Sequence, residues 1–455
     1  MKPLTANRLG HSSRAVTGRW REALRGLERN LKLLVIAALR LLVHPPAARP
    51  CPQWSSRPHR ILYLRYDHIG DMVLVTGIFH AIKRAQPMVI IDVLASVRNA
   101  PVLHGNPDVG TVYRIDKSRP WSFLVALARV RRVRYDAVLD SMVTGPSLTS
   151  MLIMWASGAR HRIGVAGRGN DFALTLPVPR VLGAVHYVDH SAALLYPFGI
   201  DPLQSAPSRT RHGDDRDSRE RSRPANDASS GWGVWRPRIL LTESEVTAAE
   251  ALWRSVEDGC LPRGAAGRAR RLAVNVSAGA PWRCWPEDRF VAALREIRRR
   301  LPEIRILLIG TPGDERLKSR IQQASGVAHA RTANAREMMA VIATCDLALT
   351  ADTAVTHVAC AFDKPVLAMF ARGGAPHWGP YIASGRTVCA PGPTLASLAP
   401  EPVVQELERM LAVTAAPESL PAAAAGTHAT SLDFPPPSAT LARLPGGIVS
   451  VSGPR

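Results

Sequence analysis

The chain has few residues that could staple a fold or bind a metal. Its six cysteines (Cys51, Cys260, Cys284, Cys345, Cys360 and Cys389) are scattered through 455 residues without a CxxC pair. That spacing disfavours a disulfide scaffold and a zinc ribbon, and favours a reducing compartment. Long apolar runs are also missing: none reaches the roughly 18–20 residues of a spanning helix. Acidic residues are scarce, 37 Asp+Glu against 58 Lys+Arg, which leaves a formal charge of +21. A surplus of that sign suits nucleic acid, an anionic membrane or an anionic substrate, though an Arg-, Ala- and Pro-rich composition also follows from GC-rich coding. No helix-turn-helix, zinc-finger or RNA-binding signature accompanies the charge, so nucleic acid is not an expected partner. The hydrophobic content of 46% excludes a wholly disordered chain, and the length accommodates two or three domains.

Residues 1–58 form a basic extension whose only acidic residues are Glu22 and Glu28. Within it LKLLVIAALRLLV (31–43) is too short and too charged to span a bilayer. It reads as an amphipathic helix on an anionic inner leaflet, as a helix packed on the body, or as part of a mis-called translation start upstream of Arg60. From Arg60 the pattern becomes regular. RILYLR (60–65), VIIDVLAS (89–96), VYRI (112–115), AVLDS (137–141) and RIGV (162–165) read as strands separated by helical stretches. After a polar, mixed-charge stretch at 204–235, read as an insertion or linker, the alternation restarts. Its strands are LAVNVS (272–277), RILLIG (305–310), LALTAD (347–352) and PVLAMF (365–370), which closes the set. Strands alternating with helices of this size predict parallel βαβ units. The expected architecture is two Rossmann-like halves, 59–203 and 236–400, facing a central cleft. A short helix at 401–412 and an Ala/Pro-rich tail at 413–455 follow. No GxGxxG follows RILYLR, which argues against a dinucleotide-dependent oxidoreductase.

Ligands of open parallel sheets sit beyond the carboxyl ends of the strands, so the loops there carry the interest. The first reads RYDHIGD (65–71). Gly70 is expected to let the backbone turn sharply out of the strand, and Asp71 is either a helix cap or a general base facing the cleft. The second, SAGAPWRCWP (277–286), joins small residues, a helix N-terminus and Arg283 in a way that suits an anion. The third, TADTAVTH (350–357), ends a strand at Asp352 and opens a helix at Thr353. There Asp352 is a cap or a sugar ligand, and His357 is a ligand or a satisfied core histidine. A fourth, ARGGAPHWGPY (371–381), is Gly-rich, aromatic and basic.

Taken in order, RYDHIGDMVLVTGIFHAIKRAQP, SAGAPWRCWPEDRF, IGTPGDERL, TADTAVTHVACAFDKPVLAMF and HWGPY resemble the motifs of the ADP-heptose:lipopolysaccharide heptosyltransferases, glycosyltransferase family nine, over about residues 60–400. The resemblance implies an α/β, GT-B-like fold and an inverting glycosyltransferase that requires no metal and no cofactor. It implies ADP-heptose or a related nucleotide sugar as donor and the lipopolysaccharide core as acceptor. Carried over by position, Asp71 is the catalytic base. Ser277, Gly279, Arg283, Asp352, Thr353, Ala354 and His357 lie on the donor side, and Arg65, His68 and Thr76 are candidates on the acceptor side. The family usually has Lys at the position of Arg283, Arg at that of Cys284 and Gly at that of Ala354; these changes bear on donor identity. The alternatives are another nucleotide sugar or acceptor, or a non-catalytic sugar-nucleotide-binding protein of the same fold. The expected location is cytoplasmic, peripheral at the inner face of the inner membrane.

Overall fold

The first strand, β1 (His59–Leu64), sends Ile61 and Tyr63 into one hydrophobic cluster and Leu62 and Leu64 into another. A strand covered on both faces reads as a continuous apolar run, which is how RILYL stands in the sequence. The same rule holds for β2 (Val89–Ser96) and β4 (Ala137–Asp140), whose central residues are all buried. With β3 (Val112–Ile115), β5 (His161–Val165) and β6 (Leu176–Val178) they form a six-stranded sheet in the order β3-β2-β1-β4-β5-β6. A second sheet has the order β12-β11-β10-β7-β8-β9. It is built from β7 (Arg271–Asn275), β8 (Arg305–Ile309), β9 (Ala328–His329), β10 (Leu347–Ala351), β11 (Val366–Phe370) and β12 (Gly385–Cys389). Every strand pair is parallel. Both sheets have the doubly wound order, which reverses direction between β1 and β4 and again between β7 and β10. Those two points are where such sheets bind ligands.

The computed structural model describes residues 30–116, 118–143, 145–202, 235–257, 270–381 and 384–413. The expectations for residues 1–29, for 203–234 of the polar stretch and for the tail from 414 lie outside the described residues. Both sheets belong to one compact unit, residues 1–404; residues 405–455 form another, of which the end of the helix Pro400–Val413 is described.

The helices that matter for the site are α1 (residues 30–42), α2 (Ile69–Ala85), α3 (Pro120–Val133), α4 (Leu148–Ser157), α5 (Tyr187–Ala192), α6 (Glu243–Glu257), α7 (Glu287–Arg300), α8 (Glu315–Ser325), α9 (Ala335–Thr344), α10 (Ala354–Ala361) and α11 (Ala375–Trp378). Helix α2 is buried nearly all round, because the first sheet lies on one side and α10 of the second half on the other. A helix enclosed in this way is apolar on every face, as MVLVTGIF is. One hydrophobic cluster therefore runs through both halves, from Val73, Leu74 and Ile78 of α2 to Val355, Val358 and Ala359 of α10.

Several expectations are corrected. PVLAMF does not close the second set: β12 pairs beyond it along β11, a half-exposed edge strand whose GRTVC gives little apolar signal. At the opposite edge of the first sheet β6 contains Pro177, a residue that edge strands tolerate because a missing N–H there breaks no ladder. Pro286 is the N-cap of α7. Gly70 makes no turn: it lies inside α2 and is not among the glycines with positive φ. Its lack of a side chain serves packing, since a Cβ there would lie 2.7 Å from His357 Cδ2 and 3.3 Å from Ala354 Cα. The α1 segment packs on the body through Ile36, with Leu39 and Val43 alongside, in the cluster that holds Leu62, Val130 and Met154.

Candidate active site

The base loop leaves β1 with Arg65, which is only 1% exposed. Its Nη1 donates to the carbonyl of Ser141 at 2.8 Å, where β4 ends, and to the hydroxyl of Tyr187 on α5. Its Nη2 faces two carboxylates, Asp67 at 2.8 Å and Asp71 at 3.2 Å. Tyr187 lies under the guanidinium, 4.9 Å from ring centroid to Cζ, and its hydroxyl donates to the Ser141 carbonyl at 3.1 Å. Both terminal nitrogens of this buried cation are thereby engaged, and it serves as a fixed anchor for the carboxylates, although its Nε has no hydrogen-bond partner among the described residues. Asp71 sits in the first turn of α2 with 8% of its surface exposed. The N-cap of α2 is His68, and no side chain caps the helix, so Asp71 is held by Arg65 and not by helix amides. Burial pushes the Asp67 carboxyl up to about 7 against the pull of Arg65, and the neighbouring Asp71 adds to the rise.

The donor-side loops meet at the ends of β7 and β10. Arg283 Nε stands 3.2 Å from Asp352 Oδ2, and the guanidinium lies 4.5 Å over the ring of Trp282. The Arg283 side chain is 34% exposed, far more open than Arg65. Burial raises the Asp352 carboxyl above its ordinary value, and Arg283 offsets part of that. The N-cap of α10 is Thr353, whose hydroxyl accepts from the Val355 amide at 3.2 Å. The hydroxyl also meets Thr350 Oγ1 at 2.8 Å and accepts from the Asn275 amide at 3.2 Å. Thr353 is thus the cap at this helix, which leaves Asp352 free of that task. Ser277 donates to Asp314 at 2.6 Å and accepts from the Thr311 amide at 2.9 Å, tying SAGAP to IGTPGDE. No atom lies within 4 Å of a Cβ built on Gly279, so the backbone there borders open space.

The two halves join where these loops end. His357 of α10 is buried against Gly70, next to Asp71; burial lowers its imidazole to about 4, and the Asp71 charge raises it in part. Its Nδ1 has no hydrogen-bond partner among the described residues, which departs from the satisfied core histidine. The HWGPY loop closes over the first half. Trp378 stacks on Tyr187 at 4.6 Å, the His186 ring donates to the Gly379 carbonyl at 3.0 Å, and Tyr381 donates to Asp189.

Of the residues expected at the site, the structure brings together Arg65, Asp71, Ala354 and His357 at the junction, and Arg283 with Asp352 and Thr353 beside it. His68 lies exposed at the start of α2. Thr76 is placed elsewhere: fully buried, its hydroxyl donates to the Val73 carbonyl and accepts from the Arg238 amide, with nothing left for an acceptor. Sequence reasoning missed Asp67, Ser141 and Tyr187. Asp67 lies inside RYDHIGD and was open to selection; Ser141 and Tyr187 are 76 and 122 residues from Arg65, beyond any local signal. Among the described residues no three His, Cys, Asp or Glu side chains gather as a metal site would need.

The profile of glycosyltransferase family 9 (heptosyltransferase) matches residues 125–402. Among solved structures, a glycosyl transferase family 9 protein from Veillonella parvula is similar at 17% identity, covering 79% of this chain and 99% of its own, with a TM-score of 0.59. The E. coli ADP-heptose lps heptosyltransferase II is similar at 20% identity over 78% of this chain and 100% of its own, TM-score 0.58. The E. coli heptosyltransferase WaaC with ADP is similar at 15% identity over 77% and 99%, TM-score 0.55. No curated protein matches the sequence.

Proposed function

Since the chain belongs to glycosyltransferase family 9, we propose that it transfers a heptose from ADP-heptose, with inversion, to a hydroxyl of the lipopolysaccharide inner core. The observation that carries this reading is the meeting of the base loop and the donor loop, with Gly70 packed on His357 and Ala354 beside Asp71. In this reading Asp71, oriented by Arg65, takes the proton of the acceptor hydroxyl as that oxygen bonds to the anomeric carbon. The nucleoside diphosphate departs from the opposite face of the sugar. Its growing negative charge is met by Arg283 and by the amide end of α10, which supply what a metal supplies elsewhere. Asp352 would give up part of its hold on Arg283 to the diphosphate and is itself suited to sugar hydroxyls.

The same reading places the enzyme on the cytoplasmic face of an anionic membrane. No helix among the described residues is long and apolar enough to cross one. Helix α1 docks through Ile36 and turns Leu34, Leu41 and Leu42 outward, Leu41 at 86% exposure, with Lys32 and Arg40 beside them. Trp121 and Leu124 of α3, which shares a cluster with α1, are exposed as well. Leucines flanked by cations suit an interface rich in anionic headgroups.

The test is ADP release from ADP-heptose with and without a heptose-deficient core acceptor. Acceptor-dependent release supports the reading. Saturable binding without release in the presence of that acceptor contradicts turnover of this pair, and no binding contradicts the donor. Sedimentation with vesicles of phosphatidylglycerol, compared with phosphatidylcholine alone, tests the membrane placement; equal recovery with both contradicts it.

A further inference from the structure

Asp67 has no part in the mechanism above, yet it occupies a contact built as well as that of Asp71. Both carboxylates address one nitrogen, Nη2 of Arg65. The second oxygen of Asp67, Oδ1, is buried and has no hydrogen-bond partner among the described residues. Asp71 lies close enough for the two carboxyl groups to hydrogen-bond when one of them carries a proton. The groups around this pair and its shared guanidinium are Tyr63 and Arg65 from β1 and its end, Tyr66 in the same loop, and Asp140 at the end of β4. Tyr187 from α5 and His357 from α10 complete the set. Burial pushes all three phenols up and the imidazole down, so these four groups are neutral near pH 7. Arg65 is then the single cation among them, set against the negative charge of neighbouring carboxylates. Like charges so close in a dry site favour retention of one proton.

Resting on the transfer reading above, we propose that Asp67 is a positioning residue for the base: it holds the proton the pair shares, and on releasing it strengthens Asp71 through their common guanidinium. The step balances simply. The acceptor hydroxyl gives its proton to Asp71, its oxygen forms the new glycosidic bond, and the bond to the diphosphate breaks. Asp67 changes only the affinity of Asp71 for the proton it receives.

The test compares Asp67→Asn and Asp67→Glu with wild type in two measurements. In the first, kcat for ADP release from ADP-heptose is followed against pH. Wild-type kcat rises through neutrality as Asp67 ionises, whereas Asp67→Asn lacks the rise and lies about three- to tenfold below the wild-type plateau, with KM for ADP-heptose unchanged. Asp67→Glu restores the rise. An Asp67→Asn profile that superimposes on wild type, or a KM change with kcat untouched, overturns the proposal. In the second, the protein labelled with 13C at the aspartate carboxyls is titrated without substrate. One carboxyl resonance moving near neutral pH and lost in Asp67→Asn is the expected result; no carboxyl titrating above about pH 5.5 overturns the pair. A titration found without turnover of ADP-heptose counts against the donor assignment alone.

Discussion

The two halves share one strand order and place their chemistry at the same topological point, yet they treat a cation and a carboxylate there in opposite ways. At the end of β1, Arg65 is sealed in, its two terminal nitrogens held by Ser141, Tyr187, Asp67 and Asp71. At the ends of β7 and β10, Arg283 is one-third exposed, paired among the described residues with Asp352 and resting on Trp282. A buried cation held by several partners is not free to turn, so it fixes the group beside it; a cation with one partner and an open side can turn to a new anion. The difference teaches how one fold, used twice, supplies both a fixed base and a mobile electrophilic hold.

The comparison can be broken at its strongest point first. Asp71→Asn keeps the shape but removes the proton acceptor, and kcat is expected to fall by about 10³-fold or more. Arg65→Met is expected to cost about 3–5 kcal/mol of folding stability, because the buried Asp71 and the half-buried Asp67 lose their partner; chemical denaturation measures it. The same truncation on the other side, Arg283→Ala, is expected to leave stability within about 0.5 kcal/mol and to raise KM for the donor about tenfold. Equal stability losses from the two would erase the contrast. His357 sharpens the junction between the halves. Its imidazole is held near pH 4 when folded and returns to about 6.5 when unfolded, so the unfolded chain binds the proton more tightly. The stability it contributes is full above pH 6.5 and is lost as pH falls toward 4, to a limit of about 3 kcal/mol. His357→Asn is expected to flatten that part of the pH–stability curve. At the same junction Gly70→Ala is expected to cost about 1–3 kcal/mol, since His357 or the α2–α10 spacing must shift to admit the methyl.

The parts legible in the sequence are those with a local signal. β2 falls at the residues expected, 89–96, because an apolar run announces it. α6 went unnoticed although Ala249, Leu252, Trp253 and Val256 recur at helical spacing. The edge strands β6 and β12 were hidden because an edge needs little apolar content. At the site, the ordered motifs point to Asp71, Arg283, Asp352 and Thr353, but they cannot show partners. That Arg65 is anchored by Ser141 and Tyr187, that Arg283 spends its charge on Asp352, and that Gly70 yields its space to His357 are facts of packing between distant segments. Thr76 shows the reverse: near the motif in sequence, it is enclosed by the Arg238 backbone.

The most direct measurement is the dissociation constant of Asp71→Asn for ADP-heptose, taken beside its kcat. If the base belongs to the first half and the donor grip to the second, affinity stays within about threefold of wild type while turnover collapses. Turnover at the wild-type rate, or affinity falling in step with turnover, would contradict that division of labour.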